Sequence, residues 1–463
     1  MCMMLVMKKY KKSLFLFHRD LRLADNTGLI EALEESEEVL PVFIFEEEQL
    51  GAKNQYRGEN LVQFMLHSLE ELNEQLEAKG GRLLMFEGKT AEILARILRQ
   101  EKVEVVFSNE DYTPFALARD KELAKVCAGV GVEFLQFADV LLNKPGTVLK
   151  GDGSPYTVFT PFFRKARKLE VAAVQVNNFK NYASSKVAGE VGRSVFKKIL
   201  PVKNAEIALE GGRKEALKLL KKIAKLQNYR EVRNIPSVEG TTLLSAHNKF
   251  GTVSIREVFW KIFEVFGEED SLMSEIYWRD FLTHIAFHFP HVFDGAFKKK
   301  YNHLRWVHDE KKFKKWCEGR TGYPLVDAGM RELNQTGYMH NRVRMVVASF
   351  LVKDLHLDWR LGERYFAQKL IDYDPAVNNG NWQWAASTGC DAQPYFRIFN
   401  PLRQQERFDK ECVYIKRWVP ELKKFTPKEI HRFEKGKLDG YEPPMVDHKE
   451  ASAFAKDMFK GGL

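Results

Sequence analysis

Cysteine is scarce in this chain, and the cysteines present follow no motif. The five are Cys2, Cys127, Cys317, Cys390 and Cys412, in a chain of 463 residues. An odd, scattered set without C-x-x-C spacing argues against a disulfide framework and against a zinc ribbon. We therefore expect no metal site, and a reducing compartment, the cytoplasm.

Long apolar runs are also missing. No apolar stretch is long enough to cross a bilayer, so no membrane partner is expected. The first residues, MCMMLVMKKYKK, place a short apolar run before the positive charges, which is the reverse of a secretory signal. These two absences predict a soluble protein.

The first part of the chain alternates short apolar runs with amphipathic segments. Between Ser13 and about Leu142 the runs are SLFLF, VLPVFIF, RLLMF, VEVVF and VEFLQF. Five strands of buried type with helical connections predict a Rossmann-like parallel α/β domain over residues 1–142. No G-x-G-x-x-G follows any of these runs, so a dinucleotide held in the usual Rossmann manner is not supported.

The rest of the chain is predicted to be a connector followed by an all-α domain. Residues 143–205 carry Gly, Pro and Asn with little periodicity, which is typical of a connector. Helical spacing of apolar residues then continues to about residue 436, so residues 206–463 are assigned to the all-α domain. Within it, IDYDPAVNNGNWQWAASTG (371–389) is expected to be irregular, with a turn at its Asn-Gly step.

The charge balance is positive. The formal net charge is +9, from 72 Lys and Arg against 63 Asp and Glu. Such an excess favours polyanions such as nucleic acid, because their phosphates are neutralised on binding. A basic enzyme without such a partner fits equally well, so the charge alone leaves the partner open.

Three helical segments carry side chains suited to a polar, flat ligand. VEGTTLLSAH (238–247) sets hydroxyls at a helix start, where they either cap the helix or hold a phosphate. In SEIYWRDFLTHIAFHF (274–289), Glu275, Trp278 and Arg279 share one helix face. A carboxylate beside a flat ring suits a nucleic-acid base, and the ordinary alternative is a surface ion pair beside a buried Trp.

The third segment is HNRVRMVVASFLVKDL (340–355), where Asn341, Arg344 and Met345 line one face and Arg342 points elsewhere. An amide, a guanidinium and a thioether together suit a polar ring system. Taken singly, however, Met is ordinarily a core residue and Arg a solvated charge.

These segments resemble a known family. GTTLLS, IYWRDF, TGYPLVDAGMRELNQTGYMHNRVRMVVASFLVKDL and DYDPAVNNGNWQWAASTGCDAQPYFRIFNP are similar to the FAD-binding region of the DNA photolyase and cryptochrome family. They are most similar to its bacterial members that act on cyclobutane pyrimidine dimers. DLRLADN (20–26) and GDGSPYTVFTPFF (151–163) match as well, so the resemblance covers nearly the whole chain.

The resemblance implies a light-driven carbon–carbon lyase. In that family a U-folded FAD lies in the helical domain, and its reduced anion, excited by blue light, donates an electron to a pyrimidine dimer flipped out of UV-damaged DNA. Both cyclobutane bonds then open and the electron returns. The resemblance therefore implies FAD as cofactor, damaged DNA as partner and DNA repair as activity.

The resemblance also implies roles for single residues. The positions that match FAD contacts are Tyr229, Thr241, Thr242, Leu243, Ser245, Arg279, Asn341, Arg344, Asp372, Asp374 and Asn378. Arg344, paired with Asp372, would supply positive charge to the reduced ring. Asn378 would face flavin N5, and Asp374 the ring edge or the ribose.

The lesion, an electron relay and the DNA strand have their own matching positions. Those for the lesion are Glu275, Trp278, Asn341, Met345 and Trp384; those for the relay are Trp382, Trp359 and Trp306; those near the strand are Arg233, Arg342 and Gln404. The Trp-x-Trp pair would thus serve two purposes on two faces. Residues two apart in an irregular segment can point in opposite directions, as this division requires.

Several alternatives remain. A cryptochrome would share the fold and FAD but signal rather than repair; plant cryptochromes carry Asp at the position of Asn378, and a long C-terminal tail is typical of signalling members. A six-four photoproduct photolyase has paired histidines where this chain reads Met339, His340 and Asn341. The DASH relatives tend to have Tyr at the position of Trp384. A light-independent flavin enzyme would leave the Trp relay unexplained.

The sequence leaves the identity and the presence of an antenna chromophore open. Family members often bind a methenyltetrahydrofolate or an 8-hydroxy-deazaflavin against the α/β domain, and NEDYTPFALARD (109–120) lies where the edge of that pocket would be. FIFEEEQL (43–50) lacks the histidine of one folate pocket and is acidic where a polyglutamate tail would pass. Neither chromophore is favoured, and we expect the protein to be a monomer.

Overall fold

The computed structural model describes residues 8–267, 271–392, 394–433 and 438–461. Its first part contains the strands β1 Tyr10–Phe17, β2 Ser36–Phe45, β3 Leu84–Glu87, β4 Val105–Asn109 and β5 Glu133–Phe137. They form one parallel sheet in the order β3-β2-β1-β4-β5. Each strand lies on one of the predicted apolar runs, so the predicted parallel α/β fold is confirmed.

Burial on both faces explains why β1 to β4 are largely continuous apolar runs, whereas the edge strand β5 is only partly buried. In the centre of the sheet, Leu14 lies opposite Leu40 and Val106, and all three are completely buried. The helices between the strands are α1 Thr27–Glu35, α2 Glu47–Leu50, α3 Glu59–Glu77, α4 Thr90–Glu101 and α5 Pro114–Ala128. The Asn26 and Thr113 side chains accept backbone N–H bonds at the starts of α1 and α5.

The segment predicted as a connector is not without helix. It contains α6 Phe159–Ala166 and the short α7 Val195–Ile199. Phe159 and Phe162 of α6 are buried against the later helices. The buried residues of α6 are Phe159, Phe162 and Ala166, and this helical spacing extends over only eight residues, which is a short periodic signal in the sequence.

The remainder of the chain is helical, in agreement with the predicted second domain type. Its helices are α8 Arg213–Lys222, α9 Tyr229–Val232, α10 Ser245–Phe250, α11 Ile255–Phe266, α12 Ser271–His288, α13 Glu310–Glu318, α14 Pro324–Thr336, α15 Asn341–Ser349, α16 Trp359–Lys369, α17 Pro375–Ala385, α18 Pro401–Phe408, α19 Val413–Trp418, α20 Pro427–Ile430 and α21 His448–Gly461. Within the described ranges, no helix combines the length and apolar character needed to cross a membrane.

The expectation of an irregular segment at 371–389 is wrong, because most of it is the helix α17. Asp374 is its N-cap and Pro375 its first residue, a combination that starts helices well. The predicted Asn-Gly turn lies inside this helix. Gly380 lies close to α12, since a Cβ at this position would approach Leu282 Cδ2 to 2.6 Å and the Leu282 side chain would have to move.

A helix also lies beyond about residue 436, where the helical spacing in the sequence ends, and it falls within the predicted all-α domain. This helix, α21, begins at His448 and packs against a π-helical turn, Phe350–Asp354. Lys353 of that turn lies 3.5 Å from the ring centre of Phe459. Asp354 accepts a hydrogen bond from His448 at 2.5 Å. These contacts are distant in sequence, so local periodicity could not have indicated them.

Candidate functional site

Helix α17 forms the centre of the candidate site. Asn378 and Trp382 on this helix are buried, and Trp384 is half-buried. The Trp382 ring lies 4.9 Å from Phe366 and 6.2 Å from Trp316, measured between ring centres. Trp384 instead lies 6.4 Å from Phe399. The two tryptophans therefore face different surroundings, as predicted, but they do so because of helical geometry rather than an irregular backbone.

An ion pair connects the start of α17 to the α/β part of the chain. The Asp374 carboxylate accepts hydrogen bonds from Ala376 N at 3.2 Å and Val377 N at 3.3 Å, and it also pairs with Arg19. Arg19 lies just after β1 and bonds Asp111 at 3.3 Å as well. Arg19 and Asp374 are both buried, so this ion pair is shielded from water.

Two further cations face this pair. Burial alone would raise the pKa of Asp374, but the charges of Arg19, Lys249 and Arg279 hold it well below its ordinary value. Burial lowers the pKa of Lys249 to about 8, and the charge of Arg19 acts in the same direction. These cations face the carboxylates of Asp111 and Asp374, and Arg279 also faces the buried Asp280. A fixed group of cations of this kind fits an anionic ligand such as a diphosphate.

The predicted pair of Arg344 and Asp372 is formed. Arg344 on α15 donates two hydrogen bonds to the Asp372 carboxylate, at 3.1 and 3.0 Å. Its Nε donates to the carbonyl of Met339 at 2.7 Å. A bidentate pair holds the guanidinium plane in one orientation, which suits a fixed cation beside a flat ring.

Asn378 has a partner that the sequence did not indicate. Its Nδ2 donates to Glu363 Oε1 at 3.0 Å and to the Glu363 carbonyl at 3.1 Å. Glu363 lies on α16 and is 5% exposed. Burial raises its pKa to about 7. The segment WRLGERYF reads as an ordinary amphipathic helix, so nothing in it marks this glutamate as buried.

The hydroxyl-rich segment before α10 behaves as a helix start. α10 begins at Ser245, and Thr242 Oγ1 accepts from Leu244 N at 3.3 Å. Leu243 has a left-handed φ of 56°, an unusual conformation for a residue with a branched side chain. Tyr229 is buried on α9, with the guanidinium of Arg233 5.1 Å from its ring centre. Leu244 is the N-cap of α10 and no side chain among the described residues caps this helix start, so the capping alternative is wrong, and the ligand seat stays a prediction.

The three predicted residues of α12 lie on one helix but have different partners. Glu275 pairs with Arg233 at 2.6 Å. The Trp278 ring stacks on Phe159 at 3.7 Å between ring centres. Arg279 donates to the carbonyls of Val140 and Asn248. One face of Trp278 is thus covered by α6, and a ligand has only its other surfaces available.

Helix α15 presents the remaining predicted contacts. Asn341 is exposed, and its Nδ2 lies 4.0 Å from Met345 Sδ. Arg342 points away from them: it donates to Asn234 Oδ1 at 2.7 Å, and its guanidinium lies 4.4 Å from the Phe408 ring centre. Gln404 is half-buried on α18.

The predicted relay residues lie in and at the edge of one apolar cluster. Trp382 and Trp359 are each 2% exposed, and Trp306 is only partly buried. Trp316 belongs to the same cluster, is completely buried and was not singled out from the sequence. Gly362 lies so close to Trp382 that an added Cβ would approach its Cη2 to 2.2 Å.

Metal ligands and disulfides do not feature in the described part of the chain. No group of three His, Cys, Asp or Glu side chains there could hold a metal ion. Cys127, Cys317, Cys390 and Cys412 all have free thiols, and Cys2 lies outside the described residues.

Family models match both halves of the chain. The model for DNA photolyase matches residues 13–178, and the model for the FAD binding domain of DNA photolyase matches residues 272–461. Two relatives, each named deoxyribodipyrimidine photo-lyase, are 37% identical: those of Agrobacterium fabrum and Escherichia coli. Each alignment covers 94% of this chain and 95% of the relative.

Solved structures of photolyases are similar to this chain over nearly its whole length. An archaeal photolyase from Sulfolobus tokodaii with two FAD molecules is 42% identical, with a TM-score of 0.88 over 97% of this chain and 100% of that one. A bacterial class III photolyase from Agrobacterium tumefaciens is 36% identical, with a TM-score of 0.91 over 99% of both chains. A Synechocystis cryptochrome is 26% identical, with a TM-score of 0.86 over 98% of this chain and 100% of that one. This chain belongs to the DNA photolyase family.

Proposed function

We propose that this protein is a light-dependent DNA repair enzyme that splits cyclobutane pyrimidine dimers with FAD as cofactor. The observation that carries the proposal is the composition of α17. This one helix holds Asn378, Trp382 and Trp384, the residues assigned to the flavin, the relay and the lesion. Its two tryptophans have separate surroundings, which supports separate roles.

The residues present fit FAD. The clustered cations Arg19, Lys249 and Arg279 suit its diphosphate. The residues proposed to hold the cofactor are Tyr229, Thr241, Thr242, Leu243, Ser245, Arg279, Asn341, Arg344, Asp372, Asp374 and Asn378. When bound in its reduced form, FAD supplies an electron on excitation by blue light. The fixed Arg344 would compensate negative charge on the ring without giving up a proton, because its guanidinium stays charged.

The lesion is proposed to bind where α12, α15 and α17 meet. Glu275 and Asn341 would hydrogen-bond the base edges, and Trp278, Met345 and Trp384 would contact the apolar side of the dimer. A flipped-out dimer costs less to unstack than a normal base pair, which favours damaged sites. Arg233, Arg342 and Gln404 are proposed to lie beside the DNA strand.

The relay is proposed to run from Trp382 through Trp359 to Trp306. The first two rings are buried and the third reaches the surface, which supports a path from the cofactor to solvent. Its role would be to return oxidised cofactor to the active reduced form.

Repair of a defined lesion tests the function. A short oligonucleotide with one cis-syn thymine dimer would be mixed with dithionite-reduced holoprotein and exposed to blue light, with a dark sample as control. We expect intact thymines to return only in the light. A photoreducible flavoprotein that leaves the dimer intact would contradict the proposal and point to a cryptochrome or to a six-four photoproduct enzyme.

The domain limits, the antenna, the oligomeric state and the compartment are separate proposals. The domains are taken as residues 1–142, 143–205 and 206–463, and the protein as a cytoplasmic monomer. The antenna stays open between methenyltetrahydrofolate and 8-hydroxy-deazaflavin, and the two FAD molecules of the Sulfolobus tokodaii photolyase add a second flavin to the candidates. Mass spectrometry of chromophores released from the purified protein decides the antenna, and light scattering decides the oligomeric state.

A further inference from the structure

A cleft of about 580 Å³ lies between helix α21 and the segment that leads into α18. Phe396, Ile398 and Asn400 form the wall on the side of that segment, and Phe396 is 57% exposed. One face of α21 forms the opposite wall. The described residues that line the cleft include no residue assigned above to the cofactor, the relay or the lesion.

The lining of the cleft is strongly cationic. Asp457 is its one acidic residue among those that the structure describes, whereas five lining residues are basic: Arg403, His448, Lys449, Lys456 and Lys460. The arginine and the three lysines are exposed, and they form no ion pair within the described ranges. The lysines recur at spacings of seven and four residues, which places them on one face of α21. The cleft therefore suits an extended anion.

The cleft shares a wall with the site proposed for the lesion. Phe399 lies 6.4 Å from Trp384 between ring centres, while Ile398 and Asn400 on either side of Phe399 line the cleft. Gln404, which is proposed to lie beside the DNA strand, directly follows Arg403 on α18. A ligand in the cleft would thus lie close to the dimer but would be separated from it by this segment.

The size and position of the cleft match one strand of DNA. The grooves of B-DNA are about 6 and 12 Å wide, so the strand opposite a dimer passes close to it. From Lys449 to Lys460, α21 extends over about 16 Å, at about 1.5 Å for each residue. Since phosphates follow one another at about 3.4 Å along a strand, this length corresponds to about five nucleotides.

We propose that the cleft between α21 and the segment 396–400 binds the sugar-phosphate backbone of the undamaged strand, opposite the dimer. The inference rests on the proposed function and deepens it by naming the second DNA strand as a ligand. It implies that this protein binds a dimer more tightly in duplex DNA than in single-stranded DNA, because only the duplex fills the cleft.

A triple variant, Lys449→Gln, Lys456→Gln and Lys460→Gln, tests the proposal. The logarithm of the association constant for a duplex with one dimer is measured against the logarithm of salt concentration. The slope should become shallower by about 2.7, which is about 0.9 for each of three phosphates. For the same dimer in a single strand, the slope and Kd should equal those of the wild type. Equal losses with both substrates, or no loss with either, would overturn the inference.

A second triple variant is the matched control. Lys102→Gln, Lys121→Gln and Lys125→Gln remove the same charge at exposed positions after α4 and on α5. Binding to both substrates should stay at the wild-type values. FAD content is measured in each variant, and unchanged FAD content together with unchanged single-strand binding shows that the lysine variant of α21 is folded.

A change in the DNA provides a test with wild-type holoprotein. Uncharged methylphosphonate linkages replace the phosphates opposite the dimer, in the undamaged strand only. Wild-type binding should weaken, whereas the triple variant of α21 should not respond, because its partners for those phosphates are already gone. Equal weakening of both proteins would overturn the inference. A wild type that holds FAD but fails to repair the dimer would instead refute the proposed function, so the two failures are distinguishable.

Discussion

Trp382 and Trp384 are separated by one residue but have different environments. Trp382 packs inside an apolar cluster with Phe366 and Trp316, while Trp384 is only partly buried beside Phe399. Two residues apart on a helix is a rotation of roughly 200°. Their substitutions should therefore have separable effects, although both are aromatic and adjacent on one turn.

We predict that Trp382→Phe abolishes photoreduction of oxidised FAD, because a phenyl ring is much harder to oxidise than an indole. Repair by chemically reduced enzyme should stay largely intact. Trp384→Phe is the matched control, for which photoreduction should persist and dimer affinity should fall. Flavin absorbance during illumination measures the first effect. Normal photoreduction in Trp382→Phe would remove Trp382 from the relay.

We predict that Glu275→Ala weakens dimer binding by about 1.5 to 3 kcal/mol, roughly ten- to a hundredfold in Kd, because hydrogen bonds to a carboxylate are lost. FAD content should not change. The variant also removes the ion pair that Glu275 makes with Arg233 at 2.6 Å. Titration with a fluorescent oligonucleotide carrying one dimer measures Kd. Loss of flavin from this variant would show that Glu275 belongs to the cofactor site instead.

Single residues differ in how far the sequence could have revealed them. The family resemblance predicts the pair of Arg344 and Asp372, and the structure brings the two residues together. The sequence does not mark Glu363 and Trp316, because a glutamate or a tryptophan on an amphipathic helix indicates surface or core without indicating its partner. Burial and partners are tertiary properties, which local sequence does not specify.

At the level of elements, α15 starts with an unusual cap. His340 is its N-cap, and its Nδ1 accepts from Arg342 N at 3.1 Å, which only the neutral imidazole can do. Burial lowers the pKa of His340 to about 4, and the charges of Arg344, Arg342 and Arg233 act in the same direction. Protonation would therefore remove the cap and place a new charge among three arginines.

We predict that wild-type protein loses stability relative to His340→Asn as the pH falls from about 6.5 to 4. The unfolded histidine takes up its proton at a pKa of 6.5 and the folded one only at about 4, so the cap's contribution is complete above 6.5. The full difference is about 3 kcal/mol. Asparagine caps without titrating. Urea unfolding of both holoproteins across this pH range measures their free energies of unfolding. A constant difference between the two free energies at every pH would contradict the prediction.

Helix α17 shows where element prediction failed. Its Asn, Gly and Asp residues are turn formers, so the segment was expected to be irregular. Asp374 and Pro375 instead act together as a helix start, and Gly380 allows close packing on α12 through Leu282. The same residue types are therefore compatible with a turn and with a helix, and packing against a helix distant in sequence favours the helix. The sheet strands, by contrast, were predicted because their burial on both faces leaves a local apolar signature.

At the level of the whole molecule, the charge balance leads to a prediction for DNA binding. The logarithm of the association constant should fall linearly with the logarithm of salt concentration, by about 0.9 for each phosphate neutralised. Arg342→Gln should make this slope shallower by about 1. Arg99→Gln makes an equal charge change at an exposed residue of α4, in the α/β part of the chain; it is the control and should leave the slope unaltered. A slope near zero in the wild type would contradict a DNA-binding role for the positive charge.

The ion pair between Arg19 and Asp374 has a consequence for how the two parts of the chain can be exchanged during evolution. The carboxylate that starts α17 finds its partner after the first strand of the sheet, about 350 residues earlier in the chain. A helical half recombined with an unrelated sheet half would keep the carboxylate and lose the guanidinium. Lys249 and Arg279 would still face this carboxylate, but its only ion pair would be lost among the residues that the structure describes. Since breaking a buried ion pair is destabilising, the two halves are expected to be exchanged by evolution as a single unit.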